Sequence, residues 1–138
     1  MAHPVARLFA VTAAFPLLAV GSPASAAEPD DGPVGIATTC YGGAVRSYFE
    51  TGSWGGDAGT YRTTSRCRDI NVRNASAFGT YACVVFVDKT DGCNRWTWLP
   101  AKSDWKAVAT DVRDGVNFRV RFSNQSYQYE PLVAYHAF

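Results

Sequence analysis

From residue 40 onward, apolar side chains return at every second position in short runs separated by glycine, asparagine and aspartate, the period of a half-buried β-strand. Residues 68–73 set Arg68, Ile70 and Val72 against Asp69, Asn71 and Arg73, and residues 117–122 turn Phe118, Val120 and Phe122 one way and Arg119 and Arg121 the other. The run TYACVVFV at 80–87 differs, because both alternating sets are apolar; such a strand needs cover on both faces. Further strands are expected at 44–50, 94–100 and 105–110, with Pro100 as a stop. The last run, 127–138, is interrupted by Pro131, which places it at a sheet edge or splits it at a bulge.

Between these runs the sequence predicts a glycine-rich loop at 52–59 around Trp54 and a turn at 74–79. Asp91-Gly92 and Asp114-Gly115 suggest two hairpins, the second joining 105–110 to 117–122. The polar run 123–126 reads as one more turn, and 103–109 as a place for a short helical turn. No sustained helical period appears after Cys40. The expected fold is therefore all-β: a small antiparallel sandwich of about seven or eight strands, a small barrel being the alternative. The densest β-forming stretch, 65–100, carries three of the four cysteines, and the other strands are expected to assemble around it.

The N-terminus obeys a different pattern. Arg7, an apolar run at 8–20 and the small-residue site Ala24-Ser25-Ala26 mark residues 1–26 as a secretory signal peptide, too short in its apolar part to span a bilayer comfortably. Residues 27–39, rich in proline, glycine and acid, read as a flexible leader, and 40–138 as one domain. Export makes the even cysteine count meaningful: Cys40, Cys67, Cys83 and Cys93 form two disulfides. Three pairings are possible, and Cys40 with Cys67 and Cys83 with Cys93 is preferred because each pair closes one local excursion.

Removing Arg7 leaves twelve basic against twelve acidic residues, a balance that argues against nucleic acid as a partner; no membrane partner is expected either. Nucleophilic catalysis lacks parts, since the mature chain holds one histidine, His136, and its thiols are committed to disulfides. Zinc lacks a CxxC pair, the aspartates at 88 and 91 match no calcium loop, and no cofactor motif occurs. Paired carboxylates need no histidine, so Asp69, Glu50 and Glu130 are the acids to consider for a small hydrolase; Asp69 has a simpler reading as a strand residue paired with Arg68 or Arg73. Asn74 and Asn124 each begin an Asn-X-Ser glycosylation pattern, which matters only in a host that uses it.

Aromatic residues are the strongest positive signal. Most of the four tryptophans and seven tyrosines must fill the core of so small a domain, but Trp54 in its glycine-rich run and Tyr127, Tyr129 and Tyr135 near the end exceed what that core needs. Trp54, Trp96, Trp98, Tyr127 and Tyr129, with the outward arginines Arg119 and Arg121, are the candidate binding residues, because exposed rings stack on sugars or anchor protein partners.

The segments TTSRCRDINVR, TYACVVF, CNRWTW and DWKAVATDVRDG make most of 40–122 resemble small secreted proteins of streptomycete-like actinobacteria, a group with no assigned activity. That resemblance implies a soil bacterium and export, and transfers no catalytic residue. The similarity to secreted streptomycete inhibitors of proteases and amylases is generic, without their Trp-Arg-Tyr triplet or a reactive-site sequence. The expectation is a secreted, extracellular, non-catalytic binding domain whose partner is a polysaccharide or an extracellular protein such as a hydrolase. A carboxylate-based hydrolase and a cell-envelope or spore-surface structural protein are the alternatives.

Overall fold

The computed structural model describes residues 39–138; the expected signal peptide (1–26) and all of the expected leader except Thr39 lie outside the described residues. Among the described residues eight strands follow a 3-10 turn at Tyr41–Gly43: β1 (Val45–Phe49), β2 (Ser53–Arg62), β3 (Ile70–Asn74), β4 (Thr80–Val85), β5 (Thr97–Leu99), β6 (Lys106–Ala109), β7 (Asn117–Gln128) and β8 (Leu132–Ala137). They form two four-stranded antiparallel sheets, β1-β8-β3-β6 and β2-β7-β4-β5, called here the first and second sheets. The fold is the sandwich that the alternation demands.

The core lies where the inward halves of these patterns meet. Ile70, Val72, Leu132, Ala134 and Val108 face in from the first sheet; Ala82, Val84, Phe118, Val120 and Phe122 do so from the second. Both faces of β4 are covered as its composition requires: its inward side packs in the core, and Cys83 on its outward side is fully buried and bonded to Cys93. The other disulfide joins Cys40 to Cys67, tying the start of the domain to the approach to β3.

Several expected turns are strand. Residues 52–59 are largely β2, whose glycines permit close approach: at Gly55 (φ 124°) a Cβ would collide with the Phe122 carbonyl oxygen of β7, and at Gly56 it would press on the Phe49 ring. Residues 123–126 belong to β7, which bulges there, Ser53 pairing Gln128 while Gly55 pairs Ser123. The 103–109 segment makes β6 and no helix. Asp114-Gly115 does not close a hairpin, since β6 and β7 lie in different sheets; the Thr63 hydroxyl donates to the Arg113 carbonyl and accepts from the Val116 N–H, turning the chain across the sandwich. Pro131 splits the final run between sheets, and β8 is an interior strand between β1 and β3.

Candidate functional site

Outward-facing side chains of the second sheet form two adjoining rows. In one, Gly55, Ser123, Tyr81 and Trp98 are successive cross-strand neighbours on β2, β7, β4 and β5. Because Gly55 has no side chain and Ser123 a small one, the row is low on that side and rises to a ledge of rings, Tyr81 and Trp98 lying 4.9 Å apart. Trp96, just before β5, closes a shallow hollow of about 190 Å³ lined by Tyr81, Trp96 and Ser123. Trp96 and Trp98 are both exposed.

The second row is polar. Arg121 donates from Nε (2.8 Å) and Nη2 (2.9 Å) to the two carboxylate oxygens of Asp57, its cross-strand neighbour, and from Nη1 to the Asp91 carbonyl (3.1 Å). These hydrogen bonds hold the Asp57 carboxyl below its usual range and raise the Arg121 guanidinium. Arg121 is thus a fixed strut, whereas Arg119 is exposed and donates to the Thr60 hydroxyl.

Beyond Gly55, where β2 begins and β7 ends, Trp54, Tyr127 and Tyr129 make a second exposed aromatic group, with ring separations of 6.0 Å and 4.8 Å. Tyr129 is 82% exposed and Trp54 62%, values that exclude a core role. Asn124 anchors this corner from below: its buried amide donates to the carbonyls of Gly52 and Ser53, and its oxygen lies 2.6 Å from the Thr80 hydroxyl. The structure thus brings Trp96, Trp98, Arg119 and Arg121 onto one sheet and places Trp54, Tyr127 and Tyr129 at its end.

Asp69 lies apart from the two glutamates. Glu50 and Glu130 flank one corner, where the Gly52 N–H bonds the Glu130 carbonyl (2.6 Å) beside the Phe49–Leu132 pair. Asp69 precedes β3 at the other end of the first sheet, next to the Ile70–Ala109 pair. It is not within a strand and bridges no arginine: its carboxylate accepts the Asp111 N–H, while Arg68 pairs with Asp111 and Arg73 stacks on rings. His136 is wholly buried on the inner face of β8, with Nε2 2.7 Å from the Ser47 hydroxyl and the Tyr61 ring 5.1 Å away. Burial pushes its pKa down to about 4, and no substrate could reach it there.

Pairing in the first sheet gathers Arg46, Tyr48, Arg73, Tyr135, Trp105 and Tyr41 on its outer side, where the sequence pattern marks Tyr135 as surplus to the core without giving it neighbours. Alternation alone shows that Arg46 and Tyr48 point away from the core; that Tyr135 stands between Arg46 and Arg73 depends on the strand order.

The chain matches no protein-family model, curated protein or solved structure with which it was compared.

Proposed function

We propose that this is a secreted, non-catalytic binding domain that holds an extended polysaccharide along the outer face of its second sheet. The observation that carries this reading is the pair of aromatic groups on that sheet, the exposed Trp98 and Trp96 with the half-buried Tyr81 around the hollow, and the exposed Trp54, Tyr127 and Tyr129 where β2 begins and β7 ends. Aromatic faces suit the C–H faces of sugar rings, and the Asp57–Arg121 pair beside the hollow offers fixed acceptors and donors to hydroxyls. The hollow is open and shallow, a shape suited to a chain passing over it. Two disulfides are compatible with an extracellular setting, and no helix among the described residues is long and apolar enough to cross a membrane.

The test is retention of the purified domain on insoluble chitin, cellulose and peptidoglycan, with Trp98→Ala and Trp54→Ala run in parallel. Retention on one polymer, weakened about tenfold or more by either substitution, supports the reading. Failure to bind all three would overturn it for those polymers and direct the search to protein partners among extracellular hydrolases.

A further inference from the structure

On the opposite face of the sandwich, none of the strands β1, β3, β6 and β8 contains an aspartate or glutamate. Yet this sheet presents Arg46 and Arg73 in one cross-strand row, with Tyr135 of β8 between them. Each guanidinium lies over a ring: Arg46 is 4.8 Å from the centre of Tyr48, and Arg73 is 4.7 Å from Tyr135 and 5.5 Å from Trp105. Trp105 is in turn packed by Tyr41 at 4.9 Å.

Among the described residues neither arginine has a carboxylate partner, and the ion pairs are Arg68–Asp111 and Arg121–Asp57. The rings hold both cations by contact, and among the described residues their N–H donors have no protein acceptor, the Arg73 Nε being buried without one. A planar donor fork that is already oriented loses little freedom when it meets a carboxylate.

We infer that this face is a second binding site, for an acidic polysaccharide whose sugar rings carry carboxylates. The charge complement is direct: two oriented cations on an acid-free sheet. Spacing favours a polymer over a single anion, because the two arginines lie two strands apart, about 10 Å between backbones. One small carboxylate cannot span them, whereas a chain with repeated carboxylates engages both. Rings beside the cations favour sugar over peptide, since Tyr41 and Tyr48, each about half exposed at 52% and 51%, offer stacking surface next to the charges. This site is independent of the aromatic ledge, and either can exist without the other.

The probe is polygalacturonate, with its methyl-esterified form and polyglutamate as controls, measured by calorimetry on the mature protein at low and high salt. Binding of polygalacturonate that weakens with salt, is lost in the methyl ester, and falls about tenfold in Arg46→Gln while Trp98→Ala leaves it unchanged is the expected result. Arg46 is exposed, so its substitution leaves the fold intact; Arg73→Gln is read beside its melting curve. No binding at low salt overturns the inference, as does binding that survives Arg46→Gln or is lost in Trp98→Ala. Equal affinity for polyglutamate overturns the choice of a glycan.

Discussion

The two outer faces of this sandwich use arginine in opposite ways. On the second sheet Arg121 is gripped by both oxygens of Asp57 and by the Asp91 carbonyl, and the neighbouring surface is built from exposed rings, with the disulfide-bonded Cys83 buried beneath. On the first sheet Arg46 and Arg73 lie on tyrosine and tryptophan rings with no acid beside them. An arginine neutralised by its own protein stiffens a surface; one held only by aromatic faces keeps its charge for something else. The same side chain is a brace in one place and a receptor in the other, and the neighbours decide which.

The largest expected perturbation strikes what both faces share, the interior. His136 has a pKa of about 4 in the folded chain, against about 6.5 unfolded. Between these values the unfolded chain binds a proton that the folded chain does not, so stability falls as pH drops from about 6.5 to about 4 and levels off below. The loss is about 3 kcal/mol. Urea melts at pH 7 and 4.5 measure it, and His136→Gln should flatten this part of the profile; an unchanged slope in that variant would place the acid sensitivity elsewhere.

Next in size is the staple behind the aromatic ledge. Replacing Cys83 and Cys93 together by serine should lower stability by about 2–3 kcal/mol on the loop-entropy model, read as a shift in urea midpoint. It should also weaken binding at the ledge, because Trp96 and Trp98 follow closely on Cys93, and spare binding at Arg46. Loss at both faces would show that the two surfaces are coupled through the core.

The smallest effect comes from the brace itself. Asp57→Asn should cost under about 1 kcal/mol, as expected of a surface ion pair, and the difference should shrink in high salt. Because Asp57 titrates below its usual range in the folded state, the pair's contribution is complete above the unfolded carboxylate pKa and fades as pH falls through the folded one. If Asp57→Asn lets the domain bind polygalacturonate more tightly, the contrast between brace and receptor is sharpened, since the substitution turns one into the other.

The all-β class, the inward set Phe118, Val120 and Phe122 and both disulfide pairings were legible in the sequence, because side-chain period and short cysteine spacings are local properties. Partners of strands were not. Asp114-Gly115 specifies that the chain turns, and the same dipeptide serves a hairpin or a crossing between sheets. Gly55 and Gly56 look like loop formers until the nearby Phe122 backbone and Phe49 ring show why a side chain is excluded. The arginine and aromatic row of the first sheet was hidden for a related reason, as Arg46, Arg73 and Tyr135 are far apart in the chain and meet only through strand order. Exposure of Trp54 and Tyr129 was easier to read, because rings set among glycines or polar residues have nothing local to pack on.

Both asparagines of the Asn-X-Ser pattern are interior clamps. Asn74, wholly buried, donates to the carbonyls of Phe78, Leu99 and Pro100 and accepts the Ser76 N–H, while Asn124 secures the corner under Trp54. The consequence concerns how the protein is made. In a secretory pathway that attaches glycans to nascent chains, the sugar would arrive before the sandwich closes, on the amides around which it must close. Yeast or mammalian culture would therefore deliver misassembled material from a faultless gene, whereas export into a bacterial periplasm leaves both amides bare.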